Sequence, residues 1–492
     1  MIRIRVTIFT AYVDILRKMC YNYSYKYIEK IAHFYGGIMD NTGKTQLFET
    51  TPIAKAVMTL SVPTVISSLV MVIYNLADTY FVGMLNDSVQ SAAVTLAAPV
   101  LLAFNAVNNL FGVGSSSMMS RGLGSKDYAA VKESSVIGFY CALVSGILFS
   151  ALYTAFKVPL LKILGADSVT NAATAKYLKW TVTCGAAPAI LNVVLAYMVR
   201  SEGASLHASL GTMSGCILNI ILDPIFILPW GLDMGAAGAG LATFISNCIA
   251  CLYFFVLLFI KRGRTYVCVD PMALRFSRRI IFGIFAVGVP ASVQNLLNVT
   301  GMTVLNNFTA DFGKSAVAAM GIAQKINMLP VQIALGFSQG IMPLVSYNYA
   351  SGNSARMKQS VMFTAKIMLA FLTAVTICYY IFSGTLTEWF MADPEVVEYG
   401  TRFLRGFCLG IPFLCIDFLA VGIFQACGFG RKALVFAILR KIVLEIPALF
   451  LLNCLFPLYG LAYAQFAAEV ILAAAAVVVV TRIFRNGASK SI

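Results

Sequence analysis

Two carboxylates lie in stretches of sequence that offer them no charged neighbour. The string Leu76-Ala-Asp-Thr-Tyr-Phe-Val-Gly83 closes an apolar span that begins near Ala54, so Asp78 lies inside or at the edge of a membrane. Asp223 stands in a later span, in Asn219-Ile-Ile-Leu-Asp-Pro-Ile-Phe226. A charge at that depth costs several kcal/mol unless it is paired, protonated or facing water, and such groups mark ion and proton pathways. Asn219 and Asp223 are four residues apart and share a helix face. The first and fifth spans run in the same direction and the sixth returns, which gives Asp78, Asp223, Asn219, Thr243 and Asn247 a common depth. Residues of these types in one pocket would take up and release a cation or a proton. A chain that does this in a membrane is expected to trade an ion for a cargo.

The elements that carry these residues follow from composition. Of the 492 residues 59% are hydrophobic and only 12% charged, with a mean hydropathy of +0.82; soluble domains carry roughly 25% charged residues. Apolar runs long enough to cross about 30 Å of hydrocarbon recur along the chain. Twelve are expected, near 54–78, 92–119, 132–156, 174–199, 208–228, 236–260, 279–305, 316–345, 357–383, 396–426, 433–453 and 459–481. They are too long for barrel strands, and only helices or closed barrels satisfy the backbone in lipid. The fold class is therefore all-α and polytopic.

The net charge of +15 is a matter of topology. Most Lys and Arg lie in or beside the termini and the even-numbered loops, the longest cluster running from Lys261-Arg-Gly-Arg264 to Arg275, Arg278 and Arg279. Odd-numbered loops carry Asp87, Asp167, Asp233, Asp311, Asp393 and Glu395. The positive-inside rule puts both termini and the 261–278 connection in the cytoplasm, with anionic lipid headgroups as the contact for the basic side chains. No basic stripe is interleaved with aromatics, so a nucleic-acid partner is not expected. Most of the 12 cysteines fall within spans, where Cys behaves as a small apolar residue. Cys248 and Cys251 form a C-x-x-C without a second pair, and the two histidines, His33 in a tail and His207 in a loop, supply no ligand set. Neither a metal nor an enzymatic cofactor is expected. Residues 1–38 are Tyr-rich and basic without a signal-peptide plan, their apolar run being interrupted by Asp14.

An internal repeat organises the spans. A shift of 226 positions superposes 92–134 on 318–360, with identities such as Ala92/Ala318, Phe111/Phe337, Gly114/Gly340, Ser120/Ser346 and Lys132/Lys358. At a shift of 227, Pro63 meets Pro290; Pro224 and Pro447 lie in the fifth span of each half. Six spans per unit is an even number, so the copies run parallel, a recurrent transporter plan with cargo handled at the repeat interface. The expected organisation is a tail (1–50), an N-lobe (51–260), a linker (261–278), a C-lobe (279–485) and a short C-terminal tail (486–492). Pro63 lies fifteen residues before Asp78 on the same helix, and a kink there would tilt the carboxylate-bearing half.

With these motifs in view, the chain resembles the multidrug and toxic compound extrusion (MATE) family over roughly 50–485. The resemblance rests on Asn75-Leu-Ala-Asp-Thr-Tyr-Phe-Val-Gly83 and Asn219-Ile-Ile-Leu-Asp-Pro-Ile-Phe226, with Gly235-Ala-Ala-Gly-Ala-Gly-Leu-Ala-Thr243 and Arg440-Lys-Ile-Val-Leu-Glu-Ile-Pro447 in support. It implies twelve transmembrane helices in two parallel six-helix repeats and export of organic, mostly cationic compounds against H⁺ or Na⁺. The chain would be a monomer in a prokaryotic plasma membrane. It looks closest to bacterial branches whose coupling-ion site involves acids matching Asp78 and Asp223 beside a polar residue matching Asn219. The branch with a C-lobe site has an acid about eight residues before a Gly of the tenth helix; here Leu414 occupies that place and Asp417 stands five residues before Gly422.

Other polar groups within spans are Asn192, Asp417, Glu445 and Glu469, candidates for a cargo or C-lobe polar site, with Arg440 and Lys441 as structural partners for Glu445. A membrane-embedded enzyme would need a histidine or a ligand cluster in the bilayer. A lipid-linked oligosaccharide flippase of related fold is the nearer alternative, but such proteins line their cavity with cationic side chains.

Overall fold

The computed structural model describes residues 41–488 apart from Asn86 and Phe276. The expectations for the tail 1–38, His33 included, fall outside the described residues. The described part is helical. Asn41–Glu49, a helix, belongs to a first unit that ends at Thr51, and a second unit begins at Pro52.

Among the described residues the second unit contains twelve long helices, α1 (Ile53–Gly83), α2 (Ser88–Gly124), α3 (Tyr128–Ala155), α4 (171–201), α5 (Ser205–Ile227), α6 (Ala236–Ile260), α7 (Arg278–Ala310), α8 (Lys314–Ala350), α9 (Ser354–Glu388), α10 (Pro394–Ala426), α11 (430–455) and α12 (Gly460–Ala488), with a short helix at Lys157–Ile163 after α3. Ten of them are individually long and apolar enough to cross a bilayer, and α4, bent by 51° at Gly185, makes an eleventh. The remaining helix, α11, carries Arg440, Lys441 and Glu445 near its middle, which lowers its hydropathy.

Three helices contain a π turn, at Asn109–Val113 in α2, Lys179–Cys184 in α4 and Leu439–Glu445 in α11. A π turn widens the helix by one residue per turn and re-aims the side chains around it. Sequence patterning did not give these turns.

The two halves meet reciprocally: α1 packs against α8, and α7 packs against α2. That exchange is what a two-fold relation between repeats produces. The contacts lie toward the end of the bundle that carries the 261–278 linker. Gly340 and Gly336 of α8 approach α1 so closely that a Cβ would sit 2.6 Å from Ser61 Cα and 2.7 Å from Val65 Cα respectively. Only glycine allows two helix backbones this separation. Ser117 Oγ of α2 donates to the Gln425 carbonyl of α10 at 2.6 Å, and Arg200 Nη1 donates to Gln339 Oε1 at 3.4 Å. The Ser292 hydroxyl of α7 donates to the Ala106 carbonyl of α2. Pro63 lies buried in this seam, between the two close approaches, inside an unbroken 31-residue α1. Beyond it, in the half of α1 that carries Asp78, Ile73 and Tyr80 are exposed.

The linker is strapped to the first half. Glu202 accepts from Thr265 Oγ1 at 2.9 Å and from the Tyr266 N–H at 2.8 Å, Tyr140 donates to the Val269 carbonyl at 3.0 Å, and Ser277 N–H donates to Glu133. His207, expected in a loop, instead lies in the first turn of α5, its Nδ1 3.2 Å from the Tyr253 hydroxyl. The helix begins earlier than the apolar run: Ser205 and Ala208 are buried, and His207 meets Tyr253 of α6.

Candidate functional site

In the first half, α5 lies between α1 and α6 and brings their polar residues together. Asp223 is fully buried and Asn219, one turn earlier on the same face, is 2% exposed. With its amide nitrogen turned to the acid, Asn219 donates to Asp223 Oδ2 at 2.8 Å while its carbonyl accepts from the Thr243 N–H at 3.1 Å. The opposite amide orientation would direct the nitrogen to Thr243 Oγ1 at 3.3 Å and leave the acid unserved. The hydrogen-bond network favours the first orientation.

Asp78 approaches from α1 close enough to interact electrostatically with Asp223. It is half-buried, but its Oδ1 is fully covered and has no hydrogen-bond partner. Two tyrosines complete the group. Tyr74, one turn before Asp78, lies close enough to both acids and to Thr243 to interact with them. Tyr177 of α4, just ahead of the π turn, faces Asp78, Asp223 and Tyr74. Among the described residues no Lys or Arg acts on either acid, so the two carboxylates face each other without a compensating side-chain cation. Asn192 lies elsewhere in this same half, on α4, where it donates to Asn247 Oδ1 of α6 at 2.9 Å.

The second half has a different polar centre. Arg440 Nη2 and Nε each reach Glu469 Oε1 of α12 at 2.7 Å, and its Nε is 3.7 Å from Asp417 Oδ2 of α10. Its guanidinium also lies 4.6 Å from the centroid of the Phe418 ring. Lys441 takes the neighbouring Glu445, with Nζ 2.6 and 2.7 Å from the two carboxylate oxygens. The sequence suggested that both bases serve Glu445; the π turn instead sends Arg440 across to α12 and α10. Two cations therefore face three carboxylates. Both oxygens of Asp417 are buried without a hydrogen bond, which makes it the least committed acid of the cluster. Among the described residues the cysteines, Cys248 and Cys251 included, are free thiols, and there is no group of three metal-ligating side chains.

A model of the MatE family matches the chain twice, over residues 63–225 and 290–451, one match in each half and together covering more than half of the chain. The chain belongs to the MATE family. This MATE protein is 35% identical over 434 residues to the multidrug export protein MepA of Staphylococcus aureus (strain MRSA252), an alignment that covers 88% of the chain and 94% of the relative. The identity to the multidrug export protein MepA of Staphylococcus saprophyticus is 34% over the same length. Its structure is also similar to a multidrug resistance MATE family transporter of the MOP superfamily in an outward-facing conformation, with a TM-score of 0.85 at 26% identity, over 90% of this chain and 98% of that one. MATE structures described as straight and as bent match with TM-scores of 0.85 and 0.83, again at 26% identity, over 90% and 91% of this chain and 98% and 99% of theirs.

Sequence reasoning on the MATE chain missed Tyr74 and Tyr177. Tyr74 had a signal, its i−4 spacing to Asp78. Tyr177 had none, since its approach depends on the bend and π turn of α4.

Proposed function

We infer that the chain exports organic, mostly cationic compounds across a prokaryotic plasma membrane in exchange for H⁺ or Na⁺. The observation that carries this reading is the meeting of half-buried Asp78 with buried Asp223, Asn219 and Tyr177 beside Tyr74 and Thr243, with no Lys or Arg paired to either acid among the described residues. The relatives' names support a drug-like cargo. A carboxylate-lined site favours a positive one, and disfavours an anionic lipid-linked sugar.

The linker end is the cytoplasmic side in this reading, by its Lys and Arg content. The two lobes are then joined on the cytoplasmic side and accessible from outside. An ion or proton arriving from outside at Asp78 and Asp223 removes their repulsion, α1 repacks about Pro63 against its glycine-lined seam, and the cargo-binding surface changes. The release of that ion toward the cytoplasm resets the cycle. Separate pH and Na⁺ gradients imposed on proteoliposomes that contain the wild-type chain test the exchange. Cargo movement driven by one gradient supports it; equal movement with neither gradient refutes it.

Cysteine introduced at Arg264 is expected to react with a membrane-impermeant maleimide only after the cell is permeabilised, and deletion of residues 1–38 is expected to leave export intact. Labelling of intact cells would invert the topology, and loss of export in the truncated chain would give the tail a role.

In the second half, neutralising Asp417, Glu445 and Glu469 together would strand Arg440 and Lys441, so the informative change there is Asp417→Asn alone. It preserves the Arg440–Glu469 pair. Cargo affinity is expected to fall severalfold while gradient-driven turnover persists, as measured by the KM and kcat of transport. A collapse of coupling with unchanged affinity would move the coupling site to the second half.

A further inference from the structure

Outside the bundle's polar centres, the C-terminal half has a cavity of about 790 Å³ at its linker end. Its floor is α10 and its walls are α9 and α12. Both walls pack closely on α10 but only slightly on each other, so a gap is left over α10. Small residues deepen it: Ala420 belongs to the floor and Ala476 to the α12 wall. The lining is apolar along most of its length, and Met362 and Val477 along it are half exposed, so the groove opens sideways at the surface of the bundle.

Its linker-end mouth has a different character. Lys358 of α9 and Arg485 of α12, both exposed, line the same cavity from opposite walls. From Ser354 to Ala365 the α9 wall spans about 16 Å at 1.5 Å per residue, close to one leaflet of a bilayer whose hydrocarbon core is about 30 Å thick. An apolar trough one leaflet long, closed at the headgroup level by two cations, has the charge and shape of one chemical partner. We propose that this groove is a binding site for an anionic phospholipid, with the phosphate between Lys358 and Arg485 and an acyl chain along Ala420 and Ala476. Each basic side chain near a membrane surface attracts anionic lipid, and these two are set around a trough that holds the chain. The other apolar occupant at hand, the N-terminal tail, is itself basic, with six Lys and Arg against three acids in residues 1–40, and would meet two like charges at the mouth. Asp417 follows the lining residue Ile416 on the same floor helix, about 100° around it, so a lipid here braces the helix on which the second polar centre is built.

Native mass spectrometry of the purified full-length protein, titrated with phosphatidylglycerol or phosphatidylcholine, tests the site. Wild type is expected to retain one phosphatidylglycerol in preference to phosphatidylcholine. The surface double variant Lys358→Gln/Arg485→Gln is expected to lose on the order of 30-fold in that preference, while the control Arg262→Gln, an exposed linker cation, keeps it. Ala420→Trp, which fills the floor, is expected to weaken binding of both lipids; the double variant keeps the test valid if this one folds poorly. A phosphatidylglycerol preference that survives the double variant, or falls equally with Arg262→Gln, overturns the proposal. So does lipid binding that emerges only after residues 1–40 are removed, which would assign the groove to the tail, and so does equal competition by inorganic phosphate, which would reduce it to an anion site.

Discussion

Asp223→Asn is expected to abolish export of organic cations, to the level of cells without the protein, and to leave membrane insertion and abundance close to wild type. Asn matches Asp in volume and fits the same pocket, where Asn219 donates to one of the two positions the carboxylate oxygens occupied. Loss of the longer contact, from Asn219 to Asp223 Oδ1 at 3.3 Å, costs only about 1 kcal/mol. What disappears is the capacity to hold and release a positive ion. Asp78→Asn is expected to act the same way, and the double variant no worse than either single one, because the two acids belong to one site. Drug-resistance growth assays with quantified membrane protein measure this. A double variant whose losses multiply would separate the two acids into independent sites.

Arg440→Leu has the largest expected effect on stability. The guanidinium is 4% exposed and compensates Glu469 and Asp417 on two other helices. Its removal leaves two buried carboxylates facing each other, and breaking a buried pair from one side costs about 3–5 kcal/mol. A marked drop in the melting temperature of the detergent-solubilised protein, with lower expression, is the expected result. The triple change Arg440→Leu, Glu469→Gln and Asp417→Asn is expected to recover much of the loss, since no charge is then stranded. If Arg440→Leu alone melts like wild type, the cluster is solvated and has no structural role.

Much of this arrangement was legible in the sequence because membranes punish exceptions. Acids are conspicuous in apolar spans, so Asp78 and Asp223 identified themselves, and the four-residue spacing put Asn219 on the same helix face as Asp223. Hydropathy located the long helices, and the matched prolines Pro63 and Pro290 indicated the repeat. The repeat also exposed the asymmetry of the halves: Asp78 aligns with Leu305, and Asp223 aligns with Ile446. Side-chain direction across helices was not legible. Arg440 has an acid five residues on, yet bonds one 29 residues away, because a π turn rotates it out of register. Tyr177 joins the acids for the same kind of reason. The packing of α5 also drew His207 into a helix that its polar surroundings had suggested was loop.

The central claim is that the Asp78–Asp223 pocket converts an ion gradient into cargo movement. It is tested most directly by gradient-driven transport of a fluorescent organic cation in proteoliposomes that contain wild type or Asp223→Asn, with cargo binding measured on the same preparations. Wild type should move cargo only when a pH or Na⁺ gradient is imposed, and the variant should bind cargo with little change yet show no gradient-driven movement. Gradient-driven transport by Asp223→Asn at the wild-type rate would place the coupling elsewhere in the protein.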